Sequence, residues 1–474
     1  MVAYIQPLVG TAAIHTFTHY NYIFFMSIFT KIRHWYKRLQ LGNSPQLNLV
    51  WGFFLYTLIG FILLNVPLFH KTEVGLLDNL FTATSAISTT GLMTLSLYED
   101  YNWAGQFIVL CLFQIGGIGY MTLTVYYLLF TTSRITHWHQ QMMKTEFTMP
   151  KTIKINDFIK SVIVFTLIME SIGMLCFFFA FKQTGMPTGQ ALWFGFFHSV
   201  SAFCTAGFSL FGDGFEGYQN NTFINAIVAV LAIAGSLGFI VITDFWYRIT
   251  GKSKALSFTS KIVLYGFVTL LTGGTALLYY TEPLVHNLGT SPLMTAFFQC
   301  MSAMTTVGFN TIPIGNLSLP ILLVITFLMY VGASPSGTAG GLKITTLTAM
   351  LAVLKSRLFG QKKITFLHRV IPFERLYVAT STFILYTSLI FLFSVLMAFT
   401  ESMKFESILF EVASALGTVG LSTGISGSLT AWGKIWIILL MFVGRVGVLT
   451  FGFALLERKK QGEEATPLQD DLAV

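Results

Sequence analysis

The chain has 474 residues, of which 54% are hydrophobic, 15% aromatic and only 10% charged, and its mean hydropathy is +0.70. So few charges cannot coat a soluble globule of this size, which excludes an ordinary soluble enzyme or binding module and points to a bilayer. The net charge of +8 does not indicate nucleic acid, because most of the 28 Lys and Arg fall in residues 31–38, 134–160, 248–261, 355–375 and 458–460, the alternate connections and tails that the positive-inside rule assigns to the cytoplasm.

Residues 1–47 form an N-terminal cytoplasmic or interfacial segment without a signal-peptide core and cleavage site. Within it, the apolar residues 22–26 followed by Lys31, Arg33, Trp35, Lys37 and Arg38 predict a short helix on the inner leaflet. Four repeats follow, and each holds a long apolar run, a shorter apolar segment and a second long run. Repeat 1 (48–148) has them at 50–68, 76–88 and 106–130, and repeat 2 (149–254) at 158–181, 189–203 and 223–247. Repeat 3 (255–366) has them at 261–280, 290–304 and 319–333, repeat 4 (367–458) at 377–399, 405–416 and 434–456, and a cytoplasmic tail (459–474) ends the chain. The long runs approach the ~20 residues that span about 30 Å of hydrocarbon, which predicts eight transmembrane helices, both termini inside. The shorter segments, about 11–15 residues, cannot cross and suit four re-entrant helices. Irregular backbone at that depth needs protein or a water-filled path around it, so the predicted fold is all-α, with four membrane–pore-loop–membrane repeats around a central pore.

Each short segment ends in the phrase S-A-x-x-T-x-G-[LF], at 85–92, 201–208, 302–309 and 414–421, and the phrase glycines Gly91, Gly207, Gly308 and Gly420 stand 116, 101 and 112 residues apart. Backbone carbonyls can replace a cation's hydration oxygens without fixing a counter-charge. Thr90 with Gly91, Ala206 with Gly207, Val307 with Gly308 and Val419 with Gly420 are therefore the candidate ion-binding residues. Glycine keeps a side chain out of the path and opens left-handed backbone angles. Thr89, Thr205, Thr306 and Thr418, two positions earlier, can tie the turn down through their hydroxyls.

A second landmark follows each glycine after 24–28 residues, at Gly116-Gly117-Ile118-Gly119, Gly235-Ser236-Leu237-Gly238, Gly332-Ala333-Ser334-Pro335 and Gly444-Arg445-Val446-Gly447. One such motif reads as close helix packing, and four in register read as equivalent positions facing one centre. Repeat 3 departs here. Residues 331–343 set Pro335 among glycines and small residues and break the second run, which predicts either a plain kink or a flexible loop across the path, with Gly332, Ser334, Ser336, Gly337, Thr338, Gly340, Gly341 and Lys343 as its gate residues. The other repeats keep a regular apolar pattern, so this span alone is expected to be broken. Lys343 can face the inner cavity as an electrostatic brake or snorkel to the interface. Arg445 must face polar company, either the axis and the loop's carbonyls or a neighbouring carboxylate. Glu170 and Glu411 can attract cations or satisfy local groups, and Asp78 and Asp213 can enrich cations at the outer mouth or be plain solvated residues. His198 and the other histidines lack ligand spacing, and Cys111, Cys176, Cys204 and Cys300 read as reduced packing residues.

With these motifs in this order over residues 48–458, the chain resembles the KtrB/TrkH/HKT superfamily of cation transporters, its KtrB branch above all. The resemblance implies that the glycine phrases form a single-chain selectivity filter binding K+ at Gly91, Gly207, Gly308 and Gly420. It further implies that an intramembrane loop with the pore Arg445 gates K+ uptake across the plasma membrane. Superfamily members with serine in place of the first glycine tend toward sodium, and glycine in all four favours potassium; a sodium-selective or non-selective transporter of the same fold is the alternative. The resemblance also implies a homodimer on a cytoplasmic KtrA-like ring. K+ is then the substrate ion, no cofactor is covalently bound, and any nucleotide, ATP/ADP or NAD, sits on the partner subunit only. No enzymatic activity is expected, since there is no Walker A motif and no nucleophile–base constellation.

Overall fold

The computed structural model describes residues 44–119, 122, 155–253, 255–288, 291–332 and 334–456. The interfacial helix expected near 22–38, the far part of the 106–130 run, most of the basic 134–160 segment, Ala333 and the tail 459–474 lie outside these residues.

The first unit comprises α1 (Pro45–Leu64), α2 (Leu76–Ile87) and α3 (Trp103–Ile118). The second comprises α4 (Ile155–Gln183), α5 (Thr188–Phe203), α6 (Thr222–Ser236) and α7 (Phe239–Ile249). In the third, α8 (Phe258–Thr281), α9 (Pro292–Thr305) and α10 (Leu319–Tyr330) precede α11 (Ile344–Leu358), and the fourth has α12 (Phe373–Thr400), α13 (Phe405–Leu416), α14 (Ala431–Val446) and α15 (Val448–Leu456). The opening helix of each unit is long and apolar enough to cross a membrane. Large apolar side chains such as Phe54, Leu167, Phe179, Tyr265 and Phe391 stand exposed along them, the surface that lipid would cover. Local chemistry sets the ends. Ser44 caps α1 by accepting from the Leu47 N–H, with Pro45 at the first turn. α1 stops at Leu64, short of the expected 68, because Val66 precedes Pro67 and is held extended.

The second helices do not cross straight. α6 and α7 meet at 90° about Gly238, α14 and α15 at 100° about Gly447, and α3 ends at Gly119. These glycines have φ of +86°, +92° and +85°. The expectation that repeat 3 alone is broken is therefore corrected: units two and four bend at the same landmark, and in unit three the bend is widened into a loop. The reason is local, since one glycine in a left-handed conformation turns the chain without lowering the hydropathy of the run around it.

The units close into a ring through their short helices. Each packs on its own unit's helices and also on the second helix of the unit before it: α5 on α3, α9 on α6, α13 on α10, and α2 on α14. The last contact joins the end of the chain to its beginning, so the four short helices surround one axis and aim their C-terminal ends at it.

Candidate functional site

At the foot of each short helix the chain makes the same turn. The threonine N–H bonds back three residues, to Ala86, Ala202, Ala303 and Ala415, and the next N–H bonds back five, to Ser85, Ser201, Ser302 and Ser414, all at 2.8–3.4 Å. That is a Schellman ending whose left-handed position is taken by threonine. Thr89, Thr205, Thr306 and Thr418 have φ of +52°, +49°, +57° and +47°. A β-branched residue there costs about 1–3 kcal/mol, a cost paid four times and only at this place in the phrase. Two residues on, Gly91, Gly207, Gly308 and Gly420 have φ of +89°, +69°, +79° and +92°, while the residue between stays at negative φ.

The four glycines interlock. A Cβ built on Gly91 lies 2.5 Å from the Ala206 carbonyl oxygen, and one on Gly207 lies 2.6 Å from that of Val307. One on Gly308 strikes the Val419 carbonyl, and one on Gly420 strikes that of Thr90. Glycine and neighbouring carbonyl thus alternate in a closed cycle, 91 to 207 to 308 to 420 and back to 91. All eight candidate ion-binding residues meet in this ring.

The broken span of unit three runs directly beneath. Thr338 is buried, and its hydroxyl stands 3.0 Å from that of Thr205 while its N–H donates to the Gly235 carbonyl. The Gly340 N–H donates to the Thr306 hydroxyl at 3.0 Å. Gly340 also packs against the Gly417 carbonyl and the Thr418 hydroxyl, which has no hydrogen-bond partner among the described residues. Gly337 lies against the Gly235 and Ser236 carbonyls, the Phe239 N–H donates to the Ser336 carbonyl, and Gly341, at φ +68°, packs on Gly332. The Ser334 hydroxyl donates to the adjacent Pro335 carbonyl at 3.0 Å. Two of the four threonines thus hydrogen-bond the loop and a third packs on it, whereas the Thr89 hydroxyl donates to the Ser88 carbonyl. Thr306→Val should leave the Gly340 N–H without its acceptor and raise its hydrogen-exchange rate about fivefold or more, with the α9 amides unchanged.

Arg445 ties this loop to two further units, donating to the Thr338 carbonyl at 2.6 Å and to the Gly116 carbonyl. These bonds go to carbonyls of the loop and of the first unit. Lys343 donates to the Ala339 and Gly340 carbonyls at 2.6 and 2.7 Å, so it braces its own loop. Below lies a cavity of about 560 Å³ lined by the loop, Lys343, Arg445, Arg375 and Tyr386.

The remaining candidates have local partners. Glu170 accepts from the Gln114 amide at 3.1 Å, Glu411 from Ser422 and Ser426, and Asp78 pairs with Lys434 at 2.6 Å and accepts from Thr94. His198 uses both ring nitrogens, on the Phe194 carbonyl and on the Leu210 N–H. Asp213 is exposed beside Glu216 in the connection after the second phrase; burial pushes the Glu216 carboxyl above its usual range, Asp213 adds to this and the Asn310 amide offsets part of it. The first landmark glycines allow close packing: Gly116, Gly235 and Gly444 press on the Ile87, Phe203 and Leu416 carbonyls that end their own units' short helices.

A family model described as "TrkH: Cation transport protein" matches residues 56–463. The chain belongs to the TrkH family. Among its relatives, the potassium/sodium uptake protein NtpJ of Enterococcus hirae is 34% identical, the match covering 90% of this chain and 96% of NtpJ. The Ktr system potassium uptake protein B of Vibrio alginolyticus is 32% identical over 87% of this chain and 91% of that one, and its namesake in Bacillus subtilis 31% identical over 88% and 94%. The crystal structure of the potassium transporter TrkH from Vibrio parahaemolyticus has the same fold, with a TM-score of 0.68 at 20% identity, covering 88% of this chain and 86% of the other.

What sequence reasoning overlooked in this TrkH-family chain is the serine that opens each phrase. Ser85 and Ser414 accept from the Gly91 and Gly420 N–H groups at 3.1 Å, whereas Ser201 and Ser302 donate to the Phe208 and Phe309 carbonyls at 2.8 and 2.6 Å. The final letter of the phrase marks the difference, leucine in the first pair and phenylalanine in the second. The signal was present, since the serine is invariant in all four copies.

Proposed function

We propose that this protein takes up potassium across the bacterial plasma membrane, K+ passing through the ring at Thr90–Gly91, Ala206–Gly207, Val307–Gly308 and Val419–Gly420. The observation that carries this is the closed cycle of glycines and carbonyls on a single chain. Carbonyl dipoles replace hydration without a formal charge that would trap the ion. The left-handed threonines, held by helix-end hydrogen bonds, fix the backbone so that little reorganisation is needed as the ion enters. The names of the Ktr and Trk relatives support potassium as the cargo.

The loop at 332–343 is the gate, and Arg445 is its latch. The loop lies across the path under three of the ring's threonines, and two half-buried cations brace it. Opening must exchange those carbonyl bonds for water in the cavity below. The clustering of basic residues supports placing that cavity and both termini in the cytoplasm. Relatives named as components of a Ktr system support a regulatory partner, which we take to be a nucleotide-binding cytoplasmic ring beneath a homodimer.

In proteoliposomes, uptake should saturate with K+ and prefer K+ over Na+; equal rates for both ions would sink the potassium assignment. In cells lacking their own potassium importers, the protein should restore growth at low K+, more strongly when a regulatory subunit is co-expressed.

A further inference from the structure

One helical turn before each phrase serine stands a buried polar residue, and its chemistry differs in every unit: Thr82, His198, Gln299 and Glu411. In the last three it bonds the strand that leaves the ring, at the second or third residue after the glycine. His198 Nε2 accepts from the Leu210 N–H at 3.2 Å, with the Ser209 hydroxyl also 3.2 Å away. Gln299 donates to the Thr311 hydroxyl at 2.8 Å, and Glu411 accepts from the Ser422 hydroxyl at 3.1 Å. In unit one the strand is held at the same distance from its glycine, by Thr94 donating to Asp78 at 2.7 Å, one further turn up α2.

The spacing has a geometric cause. After the glycine the chain runs back alongside its own short helix. Three helical residues rise about 4.5 Å, and one to two extended residues cover about 3–7 Å. The serine is therefore one rung between helix and returning strand, and the residue three positions earlier is the next. Gln299 adds a second sign. It is fully buried, and its amide oxygen has no partner among the described residues. A leucine would pack there without that desolvation cost, so the polar side chain is retained at the expense of stability.

We infer that these upper rungs, Gln299 with Thr311 and His198 with Leu210 above all, are positioning residues that set ion preference by fixing the strand beyond the ring. Discrimination between cations of similar charge depends on oxygens held to within about 0.5 Å. Releasing the strand at Thr311 leaves the Phe309 carbonyl, next to Gly308, held by the Ser302 hydroxyl alone and freer to follow the ion. A smaller, more strongly hydrated cation then gains relative to K+. This inference rests on the potassium pathway proposed above.

The test is K+ and Na+ uptake by the full-length protein in proteoliposomes, normalised to the amount inserted. Gln299→Leu and Thr311→Val each delete the rung, and both should lower the preference for K+ over Na+ by about fivefold to tenfold. The double variant should lose no more than either single one, and Thr311→Ser, which keeps the hydroxyl, should retain the preference. Reduced rates with an unchanged ratio would overturn the inference while leaving potassium transport intact. If the unsubstituted protein shows no K+ preference, the pathway assignment fails and this inference falls with it.

Discussion

Gly308→Ser should cut K+ uptake by about a hundredfold or more and erode whatever preference remains. Two costs add. A side chain at φ +79° costs about 1–2 kcal/mol in backbone strain, and its Cβ would strike the Val419 carbonyl, an overpacking cost of about 1–3 kcal/mol. Some 3 kcal/mol is about a hundredfold in rate if it falls on the path the ion takes. A control separates the two. Gly185 has a similar φ, +89°, but no neighbour within 4 Å of a built Cβ, so Gly185→Ala bears the strain without the collision. Uptake by that variant should stay within a few-fold of the parent. Equal damage from both would mean that the glycines serve only the turn, and that ring closure does not matter for transport.

The second large effect concerns the proposed latch. Arg445→Ala removes charge-assisted bonds to the Thr338 and Gly116 carbonyls, each worth about 1.5–3 kcal/mol, so the loop's open population and the leak flux should rise by tenfold or more. Arg445→Lys keeps the charge, but a single ammonium does not present the planar fork that spans two carbonyls, and its leak should be intermediate. Shortening residues 334–341 should give the largest leak. Unchanged flux in the shortened variant would remove the gate from residues 332–343 altogether. If the shortened variant leaks and Arg445→Ala does not, the loop is the gate and the arginine is structural.

Much of this architecture was legible in the sequence. The short helices were expected at 76–88, 189–203, 290–304 and 405–416 and run over 76–87, 188–203, 292–305 and 405–416. Their ends are written in adjacent residues, a Schellman turn closing on the phrase itself. The left-handed strain was assigned to glycine alone, and the structure divides it between glycine and threonine. Threonine propensity argues against that conformation, and only the hydrogen bonds of the helix end and the packing beneath enforce it. The bends at Gly238 and Gly447 were likewise hidden, because hydropathy averages over a window in which one glycine counts for little.

The sequence by itself determined the four repeats, the lengths of the four opening spans, the place of the turns and the presence of two cations among apolar residues. Each follows from contacts or composition within a few residues along the chain. Tertiary structure alone decided what those cations touch and that the turns close on one another. Gly420 meets the Thr90 carbonyl from the opposite end of the chain, and Arg445 reaches Gly116 across 329 positions. No local pattern encodes such pairs. They arise because four helices, too short to cross and apolar on their flanks, can bury themselves only by packing on the unit before them, and the fourth such step returns to the first.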